Sequence, residues 1–251
     1  PVPVVSIGNI SLGGTGKTPF AIFAAEHYKA AGKKPGVLTR GYGGDENRML
    51  AEELVDVPVY VGQDRFESAL RASSDGCDVL VLDDGFQHRR LKRDLDIVLL
   101  DRATLLGGGK LFPRGTLREG FSALNRADIA VLSKADVLDP QSQERMKEIL
   151  SRVAPGKPVA VSVQKPFLLT DVTGAAYDPA DLSGKKVLLV SGLADPGHFK
   201  STVISCGAIV LLSLLPFFTE RNDIIQWGCL TLLFIVLSQS WNIIGGFAGQ
   251  Q

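Results

Sequence analysis

The chain has 251 residues, 45% apolar and 22% charged, with 27 Lys plus Arg against 27 Asp plus Glu. That composition excludes a disordered chain, and the zero formal charge excludes nucleic-acid binding driven by bulk positive charge. Three cysteines, Cys77, Cys206 and Cys229, have neither metal-ligand spacing nor a disulfide framework, which suits a reducing, cytosolic setting.

The chain opens on Pro1-Val2-Pro3-Val4-Val5, without an initiator Met or a signal peptide, and reads as a fragment or a trimmed chain. Strands are predicted over Val4–Ile7, Gly36–Thr39, Val79–Leu82, Ile97–Leu100, Ile129–Leu132, Val159–Val163 and Val187–Val190. Most are near-continuous apolar runs, as strands covered on both faces of a mostly parallel sheet require. Helices are predicted over Lys17–Ala31, Arg65–Ser73 and Gln141–Val153, the last after a cap-then-proline start at Asp139-Pro140. This alternation predicts an α/β fold of the P-loop NTPase type, a mostly parallel sheet with flanking helices.

Charge breaks sharply near Phe199-Lys200. Beyond residue 199 the only charged residues are Lys200, Glu220, Arg221 and Asp223. The reading is a domain over 1–199 followed by a hydrophobic, membrane-type helical tail over 200–251. Residues 224–251 carry no charge and are long enough to cross a bilayer, with Trp227 and Trp241 near the ends of the run. Val203–Phe218 is a shorter apolar run containing Pro216.

The strongest chemical signal is Ser11-Leu12-Gly13-Gly14-Thr15-Gly16-Lys17-Thr18, directly after one predicted strand and before a predicted helix. In such a loop the backbone N–H groups surround phosphate oxygens, and glycines permit that approach. Lys17 would reach the β/γ-phosphates and the Thr18 hydroxyl would bind Mg²⁺. The strict phosphate-loop pattern has Gly where Ser11 stands. The second signal is Val79-Leu80-Val81-Leu82-Asp83-Asp84, an apolar strand delivering carboxylates to a metal. Adjacent residues of a strand point to opposite sides, so one of Asp83 and Asp84 faces Mg²⁺, and which one stays open. After it, Gly85-Phe86-Gln87-His88-Arg89-Arg90-Leu91-Lys92-Arg93 reads as a solvated cationic face or as a cationic loop beside the phosphates, with His88 five residues beyond Asp83. His27 reads as structural. Ser133-Lys134-Ala135-Asp136 departs from the guanine-reading Asn-Lys-x-Asp pattern, so guanine specificity is not expected.

Gly8–Pro19, Thr39-Arg40-Gly41-Tyr42-Gly43-Gly44, Asp83-Asp84-Gly85-Phe86-Gln87-His88 and Phe112-Pro113-Arg114-Gly115-Thr116-Leu117-Arg118-Glu119 together resemble the tetraacyldisaccharide 4'-kinase family. The resemblance spans residues 2–199. It implies ATP and Mg²⁺ as cofactors and a lipid disaccharide acceptor, phosphorylated on its 4'-hydroxyl in lipid A biosynthesis. It also implies work at the cytoplasmic face of the bacterial inner membrane, with no nucleic-acid partner and no protein partner inferred. The family's Gly-Asp-Glu-Pro motif matches Gly44-Asp45-Glu46-Asn47, which makes Asp45 the carboxylate that takes the hydroxyl proton. Arg118 and His88 become candidates for contacts to phosphate or metal. The family's N-terminal amphipathic segment and C-terminal lobe have no counterpart here, so an impaired kinase is the expectation. Leu230–Gln250 resembles the N-terminal region of branched-chain amino-acid ABC transporter permeases. The alternative functions are a P-loop ATPase or GTPase switch without a lipid acceptor and a membrane-transport fragment.

Overall fold

The computed structural model describes residues 2–41, 50, 53–166, 168–171, 173–190 and 196–214. These fall into two compact units, the first ending at Val163 and the second beginning at Gln164.

The first unit holds β1 (Val4–Gly8), α1 (Lys17–Ala30), β2 (Pro35–Thr39), β3 (Val59–Val61), α2 (Arg65–Ser74), β4 (Val79–Asp83), β5 (Leu95–Leu100), α3 (Arg102–Leu106), β6 (Ile129–Leu132), α4 (Pro140–Val153) and β7 (Val159–Val161). The strands form one seven-stranded sheet in the order β3-β2-β4-β1-β5-β6-β7, parallel throughout. Every residue of β1, β2 and β4 is buried, which is why these segments read as unbroken apolar runs. Successive side chains serve opposite faces of the sheet. Val81 joins Ala21, Ala25 and Val37 under α1, whereas Leu80 and Leu82 pack with Leu38, Ala69 and Ala72 under α2. Alanines on α1 and α2 let both helices lie close on the sheet. A third cluster, with Val98, Leu100, Leu132, Met146 and Leu150, packs α4.

Helix starts follow the capping rules. Asp64 accepts hydrogen bonds from the N–H groups of Phe66 and Glu67 at the start of α2, and Asp139 accepts one from Ser142 at the start of α4. Because β1 lies between β4 and β5, the loop after β1 and the turn after β4 emerge side by side at the carboxyl edge, the position where open parallel sheets bind ligands.

The second unit contains a short antiparallel pair, β8 (Leu169–Thr170) and β9 (Ala176–Tyr177), and a β10–α5–β11 crossover. Strand β10 (Lys186–Val190) pairs in parallel with β11 (Ile209–Leu214), and α5 (Pro196–Ser205) connects them. This corrects the expected break near Phe199-Lys200. Helix α5 runs through that position. The first stretch of the expected membrane tail, through residue 214, completes the helix and forms a strand. The physical reason is packing: Val203 and Ala208 are buried with Leu182, Val187 and Leu189, so their apolar character serves a protein core rather than lipid. Among the described residues no helix is long and apolar enough to cross a membrane. Residues 215–251, including the permease-like segment, lie outside the described residues.

Candidate active site

Gly16 adopts a left-handed conformation, φ 83°, and caps α1 without any side-chain hydrogen bond to the helix. The loop before it is fixed from below. The Asn9 side-chain amide donates to the Thr15 hydroxyl at 2.9 Å, and the Ser11 and Thr104 hydroxyls bond at 2.9 Å, all four residues being buried. Ser11, the departure from the strict glycine pattern, thereby anchors the loop to α3. Leu12 donates its N–H to the Thr116 carbonyl at 2.6 Å, and its side chain is exposed. Gly13 has φ 114°, and a Cβ at Gly13 or Gly14 would meet no protein atom within 4 Å. Glycine at position 14 is therefore not forced by packing and leaves the open side of the loop clear for a ligand.

Lys17 and Thr18 begin α1 and face the end of β4. The Thr18 hydroxyl donates to Asp83 Oδ2 at 3.3 Å, and Asp83 is buried. Asp84 turns away from it with φ 51°, an uncommon conformation for a residue with a side chain that aspartate tolerates better than most. Its carboxylate lies 3.6 Å from Lys17 Nζ and accepts from Arg118 Nη1 at 3.0 and 3.2 Å. Two cations separated by 101 positions thus meet on one carboxylate. The pairing of Asp84 with Arg118 was not readable from sequence spacing.

The turn after Asp84 is locked into the phosphate loop. A Cβ on Gly8 would lie 2.5 Å from Phe86 Cβ, and one on Gly85 would lie 2.7 Å from Ser6 Oγ. Both glycines are required by close backbone approach. Gln87 Nε2 donates to the Asn9 carbonyl at 2.7 Å and to Glu119 Oε1 at 3.1 Å, and Arg126 Nη2 reaches both Glu119 oxygens. The Arg126 guanidinium also lies 4.4 Å from the centre of the buried Phe86 ring. Gln87, Glu119 and Arg126 were missed as site-supporting residues; the family-like segments pointed to the first two, and nothing in the sequence marked Arg126.

The cationic stretch divides. Arg89 and Arg90 are exposed, but Arg93 is folded inward, correcting its reading as part of one charged face. Arg93 donates to the carbonyls of Gly85, Phe86 and His88 at 3.4, 3.5 and 2.9 Å and pairs with Asp96 at 3.1 Å. Arg65, buried at the start of α2, donates to the Gly62 and Asp83 carbonyls. His88 is partly buried. Burial, then the nearby Arg65 charge, pushes its pKa below the usual histidine value, with Asp64 opposing. It makes no hydrogen bond to Lys17, Thr18 or Asp83, so it stands beside the site rather than within the Thr18–Asp83 pair. Asp45 lies outside the described residues.

A buried carboxylate beside a threonine hydroxyl is an oxygen donor pair of the kind Mg²⁺ takes, with water and phosphate completing its octahedron. Among the described residues no cluster of three or more His, Cys, Asp or Glu could form an all-protein metal cage. Two protein oxygens leave most of the coordination to water and phosphate, so Thr18 and Asp83 fit a metal that arrives with a phosphate ligand.

A parallel sheet, a glycine loop running into a helix, and Lys-Thr facing an aspartate at a strand end define a phosphate-loop nucleotide-binding protein. The Tetraacyldisaccharide-1-P 4'-kinase (LpxK) family model matches residues 1–45 and 43–216, and the chain belongs to that family. The match continues past Phe199, where the sequence reading ended it, and takes in α5 and β11. The tetraacyldisaccharide 4'-kinase of Anaeromyxobacter sp. (strain Fw109-5) is 41% identical over 234 residues, covering 84% of this chain and 63% of its own length. That of Bdellovibrio bacteriovorus (strain ATCC 15356 / DSM 50701 / NCIMB 9529 / HD100) is 36% identical over 236 residues, covering 85% and 69%. The crystal structure of an "apo" form of LpxK from Aquifex aeolicus in complex with ATP superposes with a TM-score of 0.68 at 30% identity, covering 88% of this chain and 75% of that one. The chain spans about three fifths of the length of the first curated relatives it matches.

Proposed function

We propose that this chain carries the nucleotide-binding part of a kinase that transfers the γ-phosphate of ATP to the 4'-hydroxyl of a tetraacyldisaccharide 1-phosphate in lipid A biosynthesis. The acceptor is a lipid, so the reaction belongs at a membrane surface, and the cytoplasmic face of the inner membrane is where ATP is available. The observation that carries the reading is the meeting of Lys17, Asp84 and Arg118 beside the Thr18–Asp83 pair, in a chain of this family.

Phosphoryl transfer asks a protein mainly for positioning and charge neutralisation. The loop N–H groups from Gly13 to Thr18 and the uncapped start of α1 would receive the phosphates. Lys17 and Arg118 would exchange the Asp84 carboxylate for phosphate oxygens. Thr18 and Asp83 would hold Mg²⁺, which neutralises phosphate charge when bound. Asp45 would accept the proton of the sugar hydroxyl, a role resting on its place in Gly44-Asp45-Glu46-Asn47. His88, its pKa held below the usual histidine value by burial and Arg65, would serve as a hydrogen-bonding group towards phosphate or the metal's ligands.

The test is calorimetry with ATP and Mg²⁺. Binding is expected, with ATP preferred over GTP. Lys17→Ala removes charge-assisted contacts of about 1.5–3 kcal/mol and should weaken binding roughly ten- to hundredfold. Equal affinity in the two proteins removes the phosphate-loop assignment. Nucleotide hydrolysis indifferent to the disaccharide lipid would favour the switch reading.

A further inference from the structure

We propose that the loop from Leu106 to Arg114 is a docking element for an anionic lipid bilayer, inserting Leu111 and Phe112 at the interface while Lys110 and Arg114 contact headgroup phosphates. Every residue from Leu106 to Arg114 is exposed. Three of them are large and apolar: Leu106 is 48% exposed, Leu111 51% and Phe112 67%. The segment 102–118 carries four cations, Arg102, Lys110, Arg114 and Arg118, and no acid. Lys110 and Arg114 form no ion pair among the described residues, whereas Arg118 is engaged by Asp84.

The loop is held out rather than left loose. Gly108 and Gly109 both adopt left-handed conformations and turn the chain after α3. Phe112 donates its N–H to the Leu117 carbonyl, Gly115 to Leu111 and Leu117 to Lys110, so the tip is internally bonded. A Cβ at Gly115 would collide with the Lys110 carbonyl oxygen, so glycine is required by the close return of the chain. Buried Leu105 and Leu117 anchor the two ends, and the apolar side chains between them stay about half exposed or more.

The chemistry selects lipid over a protein partner. A protruding tip with an aromatic ring and a leucine suits an interface that accepts wedges, and flanking Lys and Arg keep their charges in water while their stems lie on apolar surface. Cations of one sign with no interleaved acid complement an anionic surface, each adding about fivefold to binding. The loop also reports on the site. Leu12, itself 44% exposed within the phosphate loop, is bonded to Thr116, and Ser11 pairs with Leu117. A bilayer engaging Phe112 would therefore lie beside the phosphate loop, where a lipid acceptor could be reached without leaving the membrane. That last consequence rests on the kinase reading; the docking itself does not.

The test uses the full chain with Trp227→Phe and Trp241→Phe, and Phe112→Trp as the single fluorescent probe. Mg²⁺-ATP binding is measured on the same protein, so a failure of docking is separable from a failure of the nucleotide reading. Vesicles of equimolar phosphatidylcholine and phosphatidylglycerol should shift the emission to the blue, and acyl-brominated lipid should quench it. Lys110→Glu with Arg114→Glu should weaken the vesicle dependence by roughly twenty-five-fold or more. Failure to co-sediment with these vesicles, or co-sedimentation without a blue shift, overturns the proposal. So does an equal response to soluble inorganic phosphate, which marks a phosphate site. A shift on pure phosphatidylcholine that survives charge reversal overturns the anionic-surface assignment.

Discussion

Replacing Arg93 with alanine should be among the most damaging changes available in the first unit, although Arg93 touches no substrate. Its side chain and that of Asp96 are only 11% and 9% exposed. Of its three carbonyl contacts only the one to His88, at 2.9 Å, is short. Counting that bond alone as a hydrogen bond to a charged group gives about 1.5–3 kcal/mol. Stripping the partner from a buried carboxylate costs about 3–5 kcal/mol, and the two figures overlap because one group is removed. The expected destabilisation is about 4 kcal/mol, close to a thousandfold in the opening equilibrium. Asp96 sets the pH dependence. Burial already raises its pKa above the ordinary 3.8; the nearby Ser6 hydroxyl, Arg93 and Arg126 oppose that, and Asp128 reinforces it. Between 3.8 and the raised value the folded state binds more protons than the unfolded one, so stability falls as pH rises through that window. Removing Arg93 raises the folded pKa further. The variant should therefore be hurt more near neutrality than in mild acid, where a protonated Asp96 no longer needs its partner. Hydrogen exchange of β1 and β5 amides in the full chain, at both pH values, measures this directly. Opening free energies within about 1 kcal/mol of wild type, and the same at both pH values, would refute the reasoning.

Three further outcomes are expected. Asp84→Asn keeps the left-handed backbone but frees Lys17 and Arg118; with the Asp84 carboxylate about one-third exposed, roughly 1 kcal/mol is released, so metal-free ATP should bind about fivefold tighter, and weaker binding would contradict the charge competition. Gly8→Ala places a methyl group 2.8 Å from the Phe86 backbone nitrogen and should cost about 1–3 kcal/mol while loosening ATP binding; an unchanged melting temperature and affinity would show that β1 and the β4 turn are free to separate. A chain cut after Phe199 loses most of α5 and all of β11, so β10 should lose its exchange protection, whereas a cut after Leu214 should preserve it; equal protection in both would mean that β10 does not depend on its pairing.

Much of the sheet was legible because a fully buried parallel strand leaves an unmistakable apolar run. Ile129–Leu132 was read to the residue, and β1, β2 and β4 to within one. Helix α4 was read to within one residue from its Asp-Pro start. The two edge strands, β3 and β7, have only three residues each and are partly exposed, with little burial to imprint a pattern; β3 escaped and β7 was read two residues too long, as Val159–Val163. Strand β11 was misread for the opposite reason. Val203–Phe218 is apolar enough for lipid, and only a parallel partner, Lys186–Val190, shows that Ile209–Leu214 satisfies its backbone in a ladder instead. Composition reports how apolar a segment is and says nothing of what covers it. The phosphate loop was legible because its chemistry is local. The pairs Asp84–Arg118, Gln87–Glu119 and Arg93–Asp96 depend on how loops return to the carboxyl edge of the sheet, and only for the last does sequence separation give a hint.

The adjacent aspartates show what the backbone adds to such a motif. A strand that continued past Asp83 would send its two carboxylates to opposite faces, and one would be lost to the site. Here the ladder stops at Asp83, and the left-handed turn at Asp84 brings the second carboxylate back towards Lys17. The turn is held by Gly85 against Ile7, by Arg93 against three carbonyls and by Gln87 against Asn9. Asp83 is thereby left buried with Thr18, as a metal-holding residue would be, and Asp84 is left between two cations, as a stand-in for phosphate would be. These positions favour a division of labour in which Asp83 belongs to the metal and Asp84 to the charge balance of Lys17 and Arg118. In that division Asp83→Asn should abolish the gain in ATP affinity on adding Mg²⁺, and Asp84→Asn should mainly change the affinity for ATP alone. A titration of ATP binding against Mg²⁺ in the two variants separates the roles, and identical metal dependence in both would show that the two carboxylates act as one.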